Sequence, residues 1–231
     1  IGSNHNQNCR IILKMNNQFK VINFEPNEIS LKNNSFSKNN NVKNKNFGAL
    51  NQNVKKQMYV PYYKSFPMDS LTSLDKKNII SYFKQHRLDI SKITFKKKIC
   101  KFVKLDIFNY KTFLLKIDTE GSEIDVLKGL KKTIRKNNPI ILIERNEYKN
   151  IKNISNLFII EKFLKKFDYK KYYYEKNKFI PFTKKFNRID LFFLNKKSFK
   201  YISKKVWFIM RRIHRAVSSI VEYCIDIAGV V

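Results

Sequence analysis

Glycine and proline are scarce, five of each in 231 residues, which excludes collagen-like and low-complexity classes. Cysteine is scarcer still. Cys9, Cys100 and Cys224 lie far apart and in no metal-ligand spacing, which argues against a disulfide framework and against zinc. That usage fits a reducing compartment, so a cytoplasmic setting is expected. No run reaches the roughly 18 apolar residues that a membrane span needs. There is no Gly-x-Gly-x-x-Gly, no P-loop lysine, no Gly-x-Ser-x-Gly elbow and no Cys/His nucleophile signature. Acidic residues are few as well, 18 against 48 Lys and Arg, for a net charge of +30.

What is present is apolar and aromatic. Hydrophobic residues make up 43% of the chain, with twenty Phe and twelve Tyr, enough to bury a core in one compact domain with at most a short appendage. The charge points to nucleic acid or an anionic surface as partner. The basic residues, however, are mostly lysine, scattered along the chain and accompanied by an excess of Asn, Ile, Phe and Tyr, the joint bias of AT-rich coding. Solvated, codon-driven charge is therefore preferred over a nucleic-acid footprint. A non-enzymatic basic nucleic-acid-binding protein stays as a rival, recognisable by a steep loss of affinity with salt.

Along the chain, Gly2-Ser3-Asn4-His5 reads as a turn, followed by a weakly helical stretch with Ile11, Ile12 and Met15. Phe19 to Phe24 is an apolar strand stopped by Glu25-Pro26. A short helical piece holds Ile29 and Leu31, and strands are expected within Val42 to Leu50, Gln57 to Tyr63 and Ile93 to Leu105. Helical patches surround Ile79 and Phe83 in a stretch, Lys64 to Ile90, expected to cover the site. Thr112 to Ile117 is a continuous apolar strand ending in Asp118. One helix face follows, with Ile124, Leu127, Leu130 and Ile134, ended by Asn137-Asn138-Pro139. Ile140 to Ile143 is the next strand, ending in Glu144, and this strand-helix-strand unit predicts parallel pairing. Leu157 to Phe167 reads as helix. Tyr169 to Tyr174 and Ile189 to Leu194 read as two strands with a Pro-containing loop between, paired antiparallel at one edge of the sheet.

Ligands of open α/β sheets bind beyond the carboxyl ends of the strands, and three carboxylates, Glu25, Asp118 and Glu144, each follow a strand there. Glu25 stands where nucleotide-binding folds place an acceptor for both hydroxyls of a ribose, though a solvated cap reads equally well from position alone. Acidic residues in the first turn of a helix are favoured by its dipole, which accounts for Glu123. Asp118 precedes the helix and is the stronger functional candidate. His5 is a candidate base or ribose contact. His86 and His214 have no partners in sequence, and no metal site is expected.

The block Lys116-Ile117-Asp118-Thr119-Glu120-Gly121-Ser122-Glu123, with Val126 to Gly129 and Pro139 to Glu144, resembles the hallmark of the FkbM-family methyltransferases. Ile1-Gly2-Ser3-Asn4 resembles that family's cofactor-binding glycine motif, and Phe24-Glu25-Pro26-Asn27 its second-strand acidic motif. Gly48-Ala49-Leu50 and Leu105-Asp106 resemble weaker family positions. The resemblance implies an α/β, class I (Rossmann-like) methyltransferase fold: a mostly parallel sheet, helices on both faces and an antiparallel C-terminal hairpin. It further implies that the chain is truncated before Gly2 and that the central first strand is missing.

By the same resemblance the cofactor is S-adenosylmethionine, held by Gly2, Ser3, Asn4, Glu25, Pro26 and Asp118. The reaction is O-methylation of a sugar, glycan or secondary-metabolite hydroxyl. The candidate catalytic residues are Asp118 or Glu120, with Glu144 in support and His5 as a further base. Asn6 stands where the family usually has a second glycine, which keeps open a degenerate member without activity. The domain is assigned to residues 1–200. The remainder, 201–231, carries a helical apolar stripe from Val206 to Val231 opposite Arg211, Arg215, Glu222 and Asp226. That tail has two readings: a helix packed on its own domain or on a second copy, or an interfacial helix making weak peripheral contact with the inner membrane face through Trp207, Phe208 and the arginines.

Overall fold

The computed structural model describes residues 1–2, 13, 19–32, 40–144, 156–175, 178–182 and 190–199. Ser3, Asn4, His5, Asn6 and the whole of 201–231, with the boundary at residue 200, lie outside the described residues.

Elements form largely where apolar runs meet polar breaks. β1 (Val21–Phe24) ends before Pro26 and pairs parallel with β2 (Val42–Lys45), the short helix α1 (Glu28–Lys32) lying between them in sequence. β3 (Gly48–Ala49), β4 (Val54–Tyr63), β5 (Phe66–Pro67) and β6 (Ile93–Val103) make a separate four-stranded sheet in the order β3-β6-β4-β5. Helix α2 (Lys76–Gln85) is capped by the Asp75 side chain, which accepts from Lys77 N. It presents Ile79 and Phe83 to Tyr59, Tyr63, Ile93 and Phe95 of the β4–β6 ribbon.

The third sheet contains β7 (Leu114–Ile117), β8 (Ile140–Glu144), β9 (Lys170–Glu175), β10 (Lys178–Pro181) and β11 (Asp190–Leu194), in the order β10-β9-β11-β8-β7. Helices α3 (Glu123–Gly129) and α4 (Lys131–Asn137) connect β7 to β8, and α5 (Asn156–Lys165) precedes β9. The short α6 (Lys196–Phe199) follows β11. β7 and β8 pair parallel, as a strand-helix-strand unit requires. Both faces of these strands are apolar. Leu115, Ile117, Ile141, Ile143, Leu191 and Phe193 meet α3, α4 and α5 on one side. Ile140, Leu142, Phe192 and Leu194 meet Phe19, Tyr174 and Phe179 on the other.

Three expectations are corrected here. The sheet is not mostly parallel with helices on both faces: β8–β11, β11–β9 and β9–β10 are all antiparallel. Among the described residues no helix lies between β9, β10 and β11, and adjacent strands joined without a crossover pair antiparallel. Among the described residues, helices α3 to α5 cover one face, while aromatic side chains cover the other. The Pro-containing loop holds a further strand, β10, whose Pro181 is tolerated because the strand is at the edge. Finally, the single helix read from Ser122 to Asn138 is two. Its stripe runs on unbroken, but Gly129 meets the Leu50 carbonyl so closely that a Cβ there would sit 2.1 Å away, and Leu130 leaves the helical region at φ −112°.

Ile1 and Gly2 join the sheets. Ile1 N donates to Lys116 O (2.9 Å) and Asp118 N to Ile1 O (3.2 Å), the pattern of a parallel pairing opposite Ile117. Gly2 N donates to Phe24 O at 3.0 Å. The first two residues therefore lie between β1 and β7.

Candidate active site

The three strand-end carboxylates reach one edge by two routes. Register pairs Ile117 with Ile143, so the next residues, Asp118 and Glu144, stand level at the carboxyl ends of adjacent parallel strands. Glu25 follows Phe24, whose carbonyl receives the Gly2 N–H, and Gly2 in turn lies against Asp118. At φ +70°, a Cβ on Gly2 would come within 1.7 Å of the Asp118 carbonyl oxygen, so only glycine permits this approach. Two segments that sequence reading treats as separate motifs are thus in contact.

Lys116 lies two residues before Asp118, on the same side of the chain. Its Nζ donates to Asp118 Oδ2 at 2.6 Å, and the two side chains keep only 15% and 22% of their exposure. Glu144 lies beside the Asp118 carboxyl at the end of the adjacent strand, near enough for each charge to act on the other. Burial opposes ionisation of Asp118, but the charge and hydrogen bond of Lys116 overcome it and hold this carboxyl below its usual range. Glu144 is pushed up to about 10, first by burial and then by the Asp118 charge, with Lys116 offsetting part and Glu120 adding to it. The same neighbours thus push the two carboxyls in opposite directions, Asp118 down and Glu144 up.

The loop between β7 and α3 is shaped by Glu123. This residue is 3% exposed, and its Oε1 accepts from Thr119 N (3.1 Å), Thr119 Oγ1 (3.1 Å) and Gly121 N (3.0 Å). Burial pushes its carboxyl up, while these hydrogen bonds pull against the shift. Its main work is therefore to fold the loop back on the helix start, beyond the dipole role read from sequence. Glu120 adopts φ +50° and Gly121 φ +106° to make the turn. The Glu120 carbonyl is gripped by Ser73 Oγ (2.9 Å) and Asn78 Nδ2 (3.0 Å), so the segment around α2 does border the site.

Glu25 is buried. Its Oε1 accepts from Asn27 N at 2.9 Å, its own N–H donates to Lys45 O, and Asn46 Nδ2 donates to the carbonyls of Glu25 and Pro26. The solvated-cap reading fails, because the residue is only 7% exposed. Cys100 lies near enough to feel the Glu25 charge, and burial pushes its thiol up, so it is an inert core residue.

The structure therefore brings Gly2, Asp118 and Glu144 together, with Glu120 in the adjoining turn and Glu25-Pro26 at the end of the neighbouring strand. Ser3, Asn4 and His5 lie outside the described residues. No cluster of three or more His, Cys, Asp or Glu residues suited to a metal ion occurs among the described residues. Sequence reading missed three residues. Lys116 carries a signal, a lone charge in an apolar strand two residues from a carboxylate. Ser73 and Asn78 carry none, because they reach Glu120 from 47 and 42 residues away.

The crystal structure of methyltransferase FkbM from Methylobacillus flagellatus KT is similar at 14% identity and a TM-score of 0.49, over 84% of this chain and 41% of that one. The chain thus spans less than half the length of that protein. No curated protein matches it. The family model of the methyltransferase FkbM domain matches residues 1–201, and the chain belongs to that family.

Proposed function

We propose that the domain transfers a methyl group from S-adenosylmethionine to a hydroxyl oxygen of a sugar, glycan or secondary metabolite. The observation that carries this reading is the meeting of Gly2, Asp118 and Glu144 at one strand edge, next to Glu25. The class I fold is supported by the parallel pairs β1–β2 and β7–β8, with Ile1-Gly2 hydrogen-bonded to both β1 and β7, and by the antiparallel turn at β11.

The residues present fit the cofactor. Gly2 offers a bare backbone where any side chain would collide, and a buried acceptor-only carboxylate at Glu25 suits a ribose diol. In this reading Gly2, Ser3, Asn4 and Pro26 line the cofactor, with Asp118 between cofactor and acceptor. The bound cofactor supplies an electrophilic methyl group on a sulfonium. The chain itself positions the two reactants, which in well-oriented systems is worth about 7–11 kcal/mol of barrier. It also supplies a base for the acceptor proton, from Asp118 or Glu120 with Glu144 in support, and His5 as a further candidate.

Calorimetry with S-adenosylhomocysteine tests the cofactor assignment; absence of binding overturns it. Asp118→Ala is expected to abolish transfer while leaving the cooperative thermal transition in place. Retained turnover overturns the role of Asp118.

A further inference from the structure

The β4–β6 ribbon is fastened to both halves of the site. On its β4 side Tyr59 pairs with Ser73, Tyr59 N donating to Ser73 O at 2.9 Å, and the Ser73 hydroxyl holds the Glu120 carbonyl. On its β6 side, one residue pair along, Lys98 stands opposite Met58, and its Nζ donates to Asn27 Oδ1 at 3.4 Å. Strand alternation sets Lys98, Cys100 and Phe102 on one face of β6 and Lys97, Ile99 and Lys101 on the other. The second set is exposed, whereas Cys100, Phe102 and the facing Met58 are buried together. Lys98 is half-buried on that inward face, while Lys96, Lys97 and Lys101 are exposed. A half-buried ammonium needs an acceptor and has none of its own to offer, so the Asn27 amide turns its oxygen toward Lys98. Asn27 is 1% exposed, and its backbone N–H donates to Glu25 Oε1 at 2.9 Å. Contacts therefore run unbroken from Lys98 through Asn27 to the carboxylate assigned to the ribose. Lys98 has no part in the function proposed above.

We propose that Lys98 is a positioning residue of the cofactor site: reaching in from the ribbon, it holds Asn27, and Asn27 fixes the Glu25 carboxylate for the two ribose hydroxyls. The proposal rests on the methyltransferase reading. A carboxylate meets two hydroxyl donors at once only while its plane is held, so its orientation matters as much as its charge. Asn27 is anchored at both ends, by its N–H on Glu25 Oε1 and by its side-chain oxygen on Lys98. Pro26 restricts the backbone between Glu25 and Asn27, which makes the three residues move as a unit. A carboxylate offers about four acceptor positions, so the bond from Asn27 N is compatible with a bound diol. The ammonium makes the Asn27 contact charge-assisted, which an uncharged side chain at 98 would not. Lys98 thus acts through Asn27, without touching the cofactor.

Calorimetry on the whole chain tests this with S-adenosylhomocysteine and its 2′,3′-dideoxyribose analogue. Lys98→Met is expected to weaken binding of S-adenosylhomocysteine about tenfold, and Lys98→Arg to restore most of it. The analogue, which has no hydroxyls for Glu25 to receive, is expected to bind the unaltered protein and Lys98→Met alike. An unchanged affinity in Lys98→Met overturns the proposal. So does an equal loss for both ligands, the mark of a general structural defect. The contact itself is read without ligand, from the denaturant midpoints of Lys98→Met, Asn27→Ala and the double variant. A combined loss smaller than the sum of the two is expected, and additive losses overturn the link. If the unaltered protein binds no S-adenosylhomocysteine, the methyltransferase reading falls and takes the ribose role with it, while intact coupling still establishes the Lys98–Asn27 contact. Binding that is indifferent to Lys98 overturns the positioning role alone.

Discussion

Glu144 combines an inward-facing position at a strand end with a neighbour of the same sign, and its folded state prefers the neutral acid. Its affinity for a proton is raised from the ordinary carboxylate range to about 10, so its contribution to stability is complete below about pH 4.5 and is lost as pH rises toward 10. Asp118 has the opposite sign: its contribution is present above its ordinary range and lost only as pH falls below it. Glu144→Gln keeps the shape and the donor while removing the titration. The thermal midpoint of this variant is expected to gain on the unaltered protein by about 2–4 °C or more between pH 5 and pH 9, the shift that about 1 kcal/mol produces in a chain of this size. A gap that stays constant across that range contradicts the assignment. Gly121 makes a second test at this scale. Its φ of +106° suits only glycine, and a Cβ there would lie 2.1 Å from Asn78 Nδ2. Gly121→Ala is expected to cost about 1–3 kcal/mol, read as a fall in the denaturant midpoint at unchanged slope. Adding Asn78→Ala relieves the collision but not the backbone strain, so the double variant should recover only part of the loss.

Between elements, the clearest device is a cap supplied from outside the helix. Asp106, in the turn after β6, accepts from Lys132 N (2.7 Å) through Oδ2, and from Thr133 N (2.9 Å) and Thr133 Oγ1 (2.8 Å) through Oδ1. These bonds satisfy the first N–H groups of α4, which needs a cap of its own because it is separated from α3 at Leu130. Asp106→Ala is expected to cost about 1–2 kcal/mol, and Asp106→Asn less, because the amide still accepts one bond but carries no charge for the helix dipole. Thermal denaturation of both variants checks the order. An equal loss for the two removes the charge from the explanation.

For the whole molecule, ligand linkage gives the simplest prediction. S-adenosylhomocysteine at a hundred times its dissociation constant is expected to add about 2.7 kcal/mol, or roughly 5–11 °C in the thermal midpoint. The site is built from two distant parts of the domain, Gly2 and Glu25 near the start and Asp118 and Glu144 from the middle. Anything that ties those strands together stabilises the sheet as a unit. No helix among the described residues is long and apolar enough to cross a membrane. The amphipathic stripe from Val206 to Val231 makes its own prediction, weak and salt-sensitive sedimentation with anionic vesicles that is lost when the chain is cut after Ser203. Equal sedimentation of the cut chain assigns any binding to the dispersed lysines.

Local patterns were enough for much of this. The apolar runs at Phe24, Ile117 and Ile143 each stop at a carboxylate, and a run that is buried on both faces needs no partner to be recognised as a strand. The stripe of Ile124, Leu127, Leu130 and Ile134 is likewise a property of the chain alone. The KIDTEGSE block, which carries the family resemblance, is legible in the chain alone. What local pattern could not contain is anything decided between distant segments. The Leu50 backbone lies against Gly129 just before the helix break at Leu130, β11 pairs antiparallel with both β8 and β9, and Ser73 and Asn78 hold Glu120 from more than forty residues away. The charge state of the site belongs with these. Asp118 and Glu144 are ordinary carboxylates in sequence, and their proton affinities are pushed apart because parallel register sets them side by side with Lys116 bonded to one of them.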